Sequence, residues 1–369
     1  MIVKTVTWTA PDYRFMARAL RLAARGLTTT QPNPRVGCVL VQGDRIVGEG
    51  WHEAAGGPHA EVHALEQAGA AAAGATCYVS LEPCNHHGRT PPCTEALIQA
   101  GVARVIAAMT DPDPRMAGQS LARLEQAGMM TGHDLLEARA SELNRGYIRR
   151  LTAGLPYVCC KQAVSLDGRT AMASGESKWI TGEAARMDVQ HLRARSCAVL
   201  TGIGTVLKDD PRLDVRHVPL PHRQPLRVVL DRELRLPAEA RMLTVPGRVL
   251  VFTYSDNSYK HGALKRGGAE VVMMGEEDFL AGVLRYLAER EQVNEVLVEA
   301  GPTLTGALLL DGLIDELILY QAPIIMGDSA RGLFHLPRLQ SMQDRIELKL
   351  VECRRIGADL RLRLAVHKQ

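Results

Sequence analysis

The chain of 369 residues has few aromatic residues, little net charge and no long apolar run, and each shortage excludes a class of protein. Aromatic residues make up 4% of the chain, which argues against a surface that stacks nucleic-acid bases. The net charge of +3 predicts no binding surface for a polyanion. The apolar stretches are short and interrupted, so we expect none of them to span a bilayer.

Cysteine occurs eight times, but its distribution does not predict a disulfide framework. The N-terminus lacks the basic-then-apolar plan of a signal peptide, so we expect a cytoplasmic protein with reduced thiols. Cys84 and Cys93 stand among Pro, Asn, His, Gly and Arg residues. The cysteines in apolar, strand-like runs are expected to be small core residues; they are Cys38, Cys77, Cys159, Cys160 and Cys197.

Strands and helices alternate along the chain, which predicts an α/β fold with layered domains. Apolar periodicity in the first half predicts helices at 12–25, 59–68 and 119–127 and strands at 36–41, 46–51, 76–81 and 104–109. We expect a domain boundary within residues 144–156, which contain Arg149-Arg150 and then Gly154-Leu155-Pro156. The predicted domains are residues 10–153 and 154–369.

The second half contains a new series of predicted elements. Strands are expected at 157–164, 197–201, 226–230, 248–252, 270–273, 295–299 and 316–321, with a helix at 183–195. Residues 213–225 are rich in Pro and His and are predicted to form a loop. Two last strands, 348–351 and 360–366, have no helix between them, which indicates an antiparallel pair at a sheet edge.

A split pattern of metal ligands is the strongest chemical signal in the sequence. His59 and Glu61 precede Pro83-Cys84 and Cys93, which provides three ligands and one carboxylate that need not bind metal. A zinc ion with three protein ligands keeps a fourth position for water and lowers the pKa of that water to roughly 7. Glu61 can then carry protons, so the pattern favours a hydrolytic zinc site. His-x-Glu with Pro-Cys-x-x-Cys is typical of zinc deaminases, although eight residues separate Cys84 from Cys93 here.

Other interpretations of this region remain open from the residues alone. His63 resembles a second helix ligand, but a packing or surface role is the simpler interpretation. His86 and His87 could ligate metal or line the pocket. Backbone amides near Gly88, together with Arg89 and Thr90, would suit a ligand phosphate or ribose. The whole group could also form a structural zinc site, but such sites usually take four protein ligands.

Eight segments of the chain together resemble the bifunctional deaminase–reductase family of riboflavin biosynthesis. They are NPRVG at 33–37, HAEVHA at 59–64, LEPC at 81–84, PPC at 91–93, SLDGRT at 165–170, SKWIT at 177–181, DDPRL at 209–213 and VEAGPT at 298–303. The resemblance covers the chain after about residue 10, and the long spacing between Cys84 and Cys93 is normal in that family.

The resemblance implies a cytidine-deaminase-like three-layer domain followed by a dihydrofolate-reductase-like domain. It implies a zinc hydrolase that deaminates 2,5-diamino-6-(5-phosphoribosylamino)pyrimidin-4(3H)-one to 5-amino-6-(5-phosphoribosylamino)uracil. An NADP-dependent oxidoreductase would then reduce the ribosyl side chain to ribityl with NADPH. One Zn²⁺ per chain, a homodimer, and no nucleic-acid or membrane partner are further expectations. The competing interpretations are a nucleic-acid deaminase and a non-catalytic zinc scaffold.

Site residues follow from the resemblance position by position. Zinc would be held by His59, Cys84 and Cys93, with Glu61 as the catalytic residue. NADP contacts would be Ala163, Trp179, Thr205, Asp209, Gly301, Pro302, Thr303, Leu304, Thr305, Gly306 and Ala307. Substrate contacts would be Lys161, Ser177, Arg193, Leu213, Arg216 and Glu299. Without the resemblance, the residues themselves support a phosphate site in the segment after strand 295–299, where a Gly-containing turn and a helix start offer backbone amides. An ordinary strand–helix connection would have the same sequence pattern.

Two further expectations concern charged residues of the second half. Arg193 and Arg216 could bind the substrate phosphate as forked donors, or could be ordinary solvated surface residues. Glu299 would be costly as an unpaired buried carboxylate, which a substrate hydroxyl would explain. The chain departs from many relatives by carrying Asp231-Arg232 in place of a small hydroxyl residue. Arg232 could therefore meet the adenosine phosphate that distinguishes NADP.

Overall fold

The computed structural model describes residues 7–86, 91–220 and 223–367. The chain divides into two compact units, Met1–Gly154 and Leu155–Gln369. None of the helices in these described ranges combines the length and the hydropathy of a bilayer-spanning segment. All eight cysteines are free, and the five that the sequence predicts as core residues are buried, which confirms that prediction.

The first unit is built on a five-stranded sheet in the order β2-β1-β3-β4-β5. The strands are β1 (Gly37–Gln42), β2 (Arg45–Trp51), β3 (Thr76–Val79), β4 (Arg104–Ala107) and β5 (Met130–Gly132). The helices are α1 (Ala10–Ala23), α2 (Ala60–Ala68), α3 (Cys93–Gln99), α4 (Gln119–Gln126), α5 (Glu137–Leu143) and α6 (Arg145–Ala153). The strands β1 and β2 pair antiparallel, and β3, β4 and β5 run parallel to one another.

Alternating side chains of the sheet produce two cores, one on each face. Val39 and Val41 of β1 face α1, whereas Cys38 and Leu40 face α2 and α3. This alternation is the period of two that a β-strand imposes. The unit therefore has three layers, with helices on both faces of the sheet.

The second unit contains a nine-stranded sheet whose order is β11-β10-β9-β8-β12-β6-β13-β16-β15. Its strands are β6 (Tyr157–Val164), β8 (Ala198–Gly202), β9 (Leu226–Leu230), β10 (Val249–Thr253), β11 (Ala269–Met273), β12 (Glu295–Val298), β13 (Glu316–Gln321), β15 (Leu348–Ile356) and β16 (Asp359–Val366). The short strands β7 (Arg169–Ala171) and β14 (Arg331–Gly332) form a separate pair. The helices are α7 (Glu183–Arg195), α8 (Ile203–Asp209), α9 (Ser258–Arg266), α10 (Phe279–Glu289) and α11 (Pro302–Leu310).

Seven strands of this sheet, from β11 to β13, are parallel, so their carboxyl ends share one edge. Helices α10 and α11 pack on one face, and α7 and α9 on the other. The last two strands form the antiparallel hairpin that the sequence predicts at a sheet edge. Ligand sites in open α/β sheets lie at the carboxyl edge of the strands, which is where the predicted cofactor segment begins.

Helix α6 is the main difference from the sequence prediction around the boundary. The basic stretch Arg149-Arg150 belongs to this helix, which ends at Ala153 and is capped by Gly154 with a φ of 65°. Glycine suits that left-handed position because it has no Cβ. Residues 144–153 are therefore the last turns of the first unit.

Candidate functional site

The metal-ligating side chains of the first unit converge from three separate elements. His59 is the N-cap residue of α2, Cys84 follows β3, and Cys93 is the first residue of α3. His59 Nδ1 lies 3.2 Å from Cys93 Sγ and 3.5 Å from Cys84 Sγ. The three ligand atoms all lie within 4.8 Å of one another. This spacing suits one tetrahedral ion bound by nitrogen and sulfur ligands.

The electrostatics of the two thiols fit a bound cation. The hydrogen bond with the Cys93 thiol, followed by that with His59, lowers the pKa of Cys84 to about 4 against the opposing effect of burial. The backbone N–H of Cys93 also donates to Cys84 Sγ at 3.3 Å. The hydrogen bond to Cys84, together with burial, raises the pKa of Cys93. Two adjacent sulfurs therefore do not both ionise easily without a cation between them, and a zinc ion held by these ligands would supply that charge.

Glu61 lies in the first turn of α2 and is buried, with 3% of its surface exposed. Burial, and then the charge of Cys84, raise the pKa of Glu61 to about 7. Because helix positions two apart normally diverge, His59 and Glu61 can serve one pocket only at a helix end, and α2 begins there. A buried carboxyl group beside the ligands is suited to move protons near neutral pH.

Other residues of this region were also predicted as possible contacts of a metal or a ligand. Within the described ranges, His59, Cys84 and Cys93 form the metal-compatible cluster, and neither His63 nor His86 belongs to it. His63 Nδ1 instead lies 3.9 Å from a Glu66 oxygen. The predicted contacts of His87, Gly88, Arg89 and Thr90 fall outside the described residues.

His52 is a residue of this site that the sequence does not single out. Its ring packs edge-on against the His59 ring, with centroids 5.5 Å apart. The Asn33 amide lies 3.0 Å from Nε2 and the Pro58 carbonyl lies 3.0 Å from Nδ1. Burial lowers the pKa of His52. A neutral ring that donates from Nδ1 to the Pro58 carbonyl and accepts at Nε2 from the Asn33 amide satisfies both contacts. In the sequence, Asn33 at the start of the NPRVG segment was the signal that could have pointed to His52.

Glu82 is a second residue that sequence reasoning misses. Its buried carboxylate accepts hydrogen bonds from the backbone amides of Asp111, Gly118, Ser120 and Leu121. These bonds hold the segment after β4 next to the residues that precede Cys84. The sequence signal that could have identified Glu82 is its position directly before Pro83-Cys84.

In the second unit, Lys161, Arg193 and Glu299 form one buried ionic group. Arg193 donates from Nε and Nη2 to the Glu299 carboxylate at 2.5 and 3.1 Å, and Lys161 Nζ lies 3.5 Å from it. Burial raises the pKa of Glu299, but the charges of Arg193 and Lys161 outweigh burial and hold it at about 2. Glu299 therefore has two cationic partners within the protein, and Nε and Nη2 of Arg193 donate to it. The predicted substrate contacts of both residues stay predictions.

The segment after α8 contributes further cations. Arg212 and Arg216 lie beside the buried Asp214, at Nη2–Oδ2 2.6 Å and Nε–Oδ1 3.6 Å, and both remain partly exposed. Arg212, which the sequence does not single out, stands in the DDPRL segment. The Leu213 side chain is part of the hydrophobic core, and its predicted substrate contact stays a prediction.

The predicted cofactor segment lies at the carboxyl end of β12, where α11 begins. A Cβ on Gly301 would meet no atom within 4 Å, so a phosphate can approach its backbone. The backbone N–H groups in the first turn of a helix have no intrahelical acceptor. Pro302, at the first position of α11, has no N–H group of its own. Thr303 and Leu304 therefore offer amides at this turn, which fits a pyrophosphate.

Thr305 and Gly306 have other roles in α11. Both are buried, and the Thr305 hydroxyl donates to the Gly301 carbonyl at 3.1 Å. A Cβ on Gly306 would lie 2.2 Å from the His335 carbonyl oxygen. Both residues therefore also pack on the protein itself, and their contacts with a cofactor stay a prediction.

The remaining predicted residues lie around the same sheet edge. Ala163 is two residues after Lys161 on β6, so both point to one face of the strand. Lys178, between Ser177 and Trp179, pairs with Asp209 at 3.9 Å. This pair brings the SKWIT segment next to α8, which also contains Thr205. Ala307 lies in the second turn of α11 and is partly exposed.

Comparison with known proteins gives two matching family models and relatives of nearly full length. The RibD C-terminal domain matches residues 156–362, and the cytidine and deoxycytidylate deaminase zinc-binding region matches residues 9–109. The chain is 50% identical over 364 residues to riboflavin biosynthesis protein RibD of Escherichia coli strain K12, covering 96% of this chain and 99% of that protein. It is 46% identical to the Haemophilus influenzae protein of the same name, covering 96% and 97%.

Solved structures agree with these sequence relatives. Acinetobacter baumannii RibD matches with a TM-score of 0.89 and 46% identity, covering 97% of this chain and 99% of that one. A Thermotoga maritima diaminohydroxyphosphoribosylaminopyrimidine deaminase/5-amino-6-(5-phosphoribosylamino)uracil reductase matches with a TM-score of 0.86 and 34% identity, covering 97% and 99%. The predicted fold class, a cytidine-deaminase-like domain followed by a dihydrofolate-reductase-like domain, is confirmed.

Proposed function

The chain belongs to the RibD family of riboflavin biosynthesis proteins, and we propose that it catalyses two successive reactions on one phosphoribosylaminopyrimidine. It is a bifunctional enzyme with a deaminase and a reductase domain. The first reaction replaces the ring amino group of the diaminopyrimidinone by oxygen and releases ammonia. The second reduces the ribosyl group of the resulting aminouracil to ribityl.

The observation that carries the deaminase function is the cluster of His59, Cys84 and Cys93 around the buried Glu61. These three ligands would hold one zinc ion, which supplies a Lewis acid that lowers the pKa of water. The Glu61 carboxylate would take one proton from the attacking water and pass it to the ring nitrogen. It would then take the second proton from the hydroxyl group added to the ring carbon and pass it to the departing amine, as the C–N bond breaks and the carbonyl forms.

For the reductase we propose that NADPH, bound from the Gly301 turn across the sheet edge, supplies the hydride. Gly301, Thr303 and Leu304 would bind its pyrophosphate through backbone amides, which is supported by the open approach to Gly301. Ala163, Trp179, Thr205 and Asp209 are proposed to contact the rest of the cofactor. The exposed indole of Trp179, stacked on Arg186 with 4.6 Å to the ring centroid, offers a flat apolar surface to a ligand.

The substrate of the reductase would lie beside the cations of the same edge. Lys161, oriented by Glu299, would contact the ribose, and Ser177 would bind a substrate oxygen. Arg216 would bind the substrate phosphate, because its guanidinium is partly exposed. Its neighbour Arg212 is also partly exposed and could bind the same phosphate. Arg193 would act by holding Glu299 in place. Leu213 would contribute through its backbone.

Substitution Glu61→Gln tests the assignment of the proton carrier. We expect zinc content to stay at one ion per chain while ammonia release falls by about 10²-fold or more, because the amide cannot accept the proton. NADPH oxidation with pre-deaminated substrate should be unchanged. Glu66→Gln, on the exposed face of the same helix, is the matched control.

Ammonia release that survives in the Glu61→Gln variant would overturn the role of Glu61. Loss of both activities together would contradict two separate active sites. Zinc bound by a protein that shows neither ammonia release nor NADPH oxidation would favour the scaffold interpretation.

We further propose a homodimer that works in the cytoplasm. Strand β15 is nine residues long, lies at the edge of the large sheet and exposes Leu348, Leu350 and Val351. A long edge strand with exposed apolar residues is a template for pairing with another chain, which supports a second copy as its partner. Free thiols throughout the chain support a reducing compartment.

A further inference from the structure

Glu82 joins the segment that carries Cys84 to the loop after β4, and it has no role in either reaction as proposed above. Its backbone N–H donates to the Met109 carbonyl at 2.9 Å. This bond extends the parallel pairing of β3 with β4 past the last residue of each strand. Because the carboxyl ends of parallel strands meet at one edge of a sheet, Cys84 and residues 110–118 lie at the same edge.

One buried side chain closes this loop at both ends. Glu82 Oε2 accepts hydrogen bonds from the backbone N–H groups of Asp111 and Gly118, each at 2.9 Å. Its Oε1 accepts from the N–H groups of Ser120 and Leu121 at 3.0 and 3.4 Å. An ionised carboxylate suits four such donors, because both of its oxygens are acceptors and it has no donor of its own. A substitution that removes acceptors therefore frees the two ends of the loop together.

The same carboxylate supplies the cap that α4 lacks. Gly118 is the N-cap residue of α4, with a φ of 76°, and glycine has no side chain that could accept a hydrogen bond. Ser120 and Leu121 stand at the second and third helical positions, whose N–H groups have no intrahelical acceptor. A capping oxygen normally comes from the N-cap residue, whereas here it comes from Glu82, 36 positions earlier in the chain. The start of α4 is therefore held by the segment that precedes Cys84.

Short-range hydrogen bonds fold the loop itself. Asp111 Oδ1 accepts from the Asp113 N–H at 2.8 Å, and Asp113 Oδ1 accepts from the Arg115 N–H at 3.0 Å. The Met116 N–H donates to the Asp113 carbonyl at 2.8 Å. These bonds keep the shape of the loop but do not connect it to another element. The bonds to Glu82 connect it to the end of β3, so Glu82 determines where the loop lies.

The loop also lies close to the metal-compatible cluster. Burial raises the pKa of the Asp111 carboxyl, and the nearby His86 opposes that rise. His86 follows the predicted ligand Cys84 by two positions. Cys84 is held by the start of α3, since its carbonyl accepts from the Thr94 N–H at 3.2 Å and its Sγ accepts from the Cys93 N–H at 3.3 Å. A shift of the loop can therefore change the space beside the cluster without moving the cluster.

We propose that Glu82 is a positioning residue of the deaminase, which acts by holding residues 111–118 beside the substrate pocket. This role rests on the deaminase function proposed above. Because Glu61 and the predicted metal ligands are held by α2 and α3, a displaced loop should weaken substrate binding more than it slows the chemical step. The reductase unit should not respond, since Glu82 and the loop both belong to the first unit.

Glu82→Gln tests this role at nearly constant side-chain volume. The amide keeps one acceptor oxygen and turns an NH2 group toward two of the four backbone donors, so those two hydrogen bonds are lost. We expect amide hydrogen exchange in residues 111–121 of the full chain, measured by mass spectrometry, to accelerate about tenfold or more. The KM of the diaminopyrimidinone for ammonia release should rise about tenfold, while kcat changes less than about threefold. Zinc content and NADPH oxidation with pre-deaminated substrate should equal those of the parent protein.

Glu95→Gln is the matched control. Glu95 lies on α3 and forms an exposed ion pair with Arg123 of α4 at 3.1 Å, so its substitution removes a contact of the same helix without touching the loop. Amide exchange and KM should match those of the parent protein. Ser120→Pro alters the same contact from the other side, because proline removes one donor to Glu82 and is tolerated in the first turn of a helix. It should raise KM about threefold.

Unchanged amide exchange in the Glu82→Gln variant, or faster exchange with an unchanged KM, would overturn the positioning role. A rise of KM in Glu95→Gln as large as that in Glu82→Gln would also overturn it. If Glu82→Gln binds no zinc, an unchanged KM in Ser120→Pro has the same consequence. A parent protein that releases no ammonia would instead contradict the proposed deaminase function.

Discussion

Glu299 carries a buried negative charge that depends on cations from two distant parts of the chain. Arg193 and Lys161 are 106 and 138 positions away from it, and they hold its pKa at about 2. A buried pair contributes little relative to apolar residues, but removal of one partner leaves an uncompensated charge in the interior. Arg193 therefore has a structural effect that is separable from substrate binding.

We expect Arg193→Met to lower the free energy of unfolding of the reductase unit by about 3–5 kcal/mol, because Glu299 then keeps only Lys161. The double variant Arg193→Met/Glu299→Gln should recover much of that loss. Urea unfolding of the full chain measures both. Equal destabilisation in the single and double variants would contradict the role of the pair.

The same carboxylate predicts a pH dependence of stability. Its pKa in the folded protein, about 2, lies below the ordinary value of 4.5, so the folded state binds fewer protons than the unfolded state. Its stabilisation is present above about pH 4.5 and is lost as the pH falls toward 2. The Glu299→Gln variant should lose less stability than the parent protein over this interval.

At the scale of elements, α11 combines a ligand-facing turn with a tightly packed second turn. Gly301 begins the helix in open space, whereas Gly306 lies against the backbone of His335. The backbone N–H of His335 also donates to the Pro302 carbonyl at 3.1 Å. The loop that contains Arg338 is therefore positioned by its contact with this helix.

Gly306→Ala and Gly301→Ala separate the two functions of the helix. The added Cβ at position 306 forces the backbone apart, so we expect a loss of about 1–3 kcal/mol in the free energy of unfolding. The same change at 301 should leave stability nearly unaltered and act on NADPH affinity instead. Thermal unfolding and NADPH titration of both variants check this, and equal stability of the two would contradict the packing role of Gly306.

At the scale of the whole molecule, the two edges of the large sheet differ. Strand β15 has nine residues and exposes the apolar side chains of Leu348, Leu350 and Val351, whereas β11, at the other edge, has five residues. An edge of that length has unpaired backbone groups that a second copy can pair with. The oligomeric state is therefore expected to depend on β15.

We expect Leu350→Lys to convert the proposed dimer into a monomer, since the substitution places a charge in the middle of the proposed contact. Met273→Lys adds the same charge to the exposed residue at the end of β11 and should leave the dimer intact. Light scattering of both variants over a range of concentrations measures the outcome. A Leu350→Lys protein with the mass of the parent dimer would place the interface elsewhere.

The sequence alone determined the fold class, the type of metal site and many of the elements. The bounds of β6, β9, β13 and α7 are those predicted from sequence, because buried parallel strands are continuous apolar runs and α7 has clear helical spacing. The helices α5, α6, α8, α9 and α10 were not predicted. The proposed zinc ligands were recognisable because zinc requires particular side chains, and few segments of a chain supply them.

Only the tertiary structure decided which partners the predicted residues have within the protein. Arg193 was predicted to bind phosphate, and its Nε and Nη2 donate to Glu299, while Leu213, Thr305 and Gly306 are buried. Local sequence does not encode these outcomes, because each depends on a partner far along the chain that reaches contact only after the sheet forms. Motifs specify the chemistry a residue can perform, whereas packing specifies whether its donors are still free.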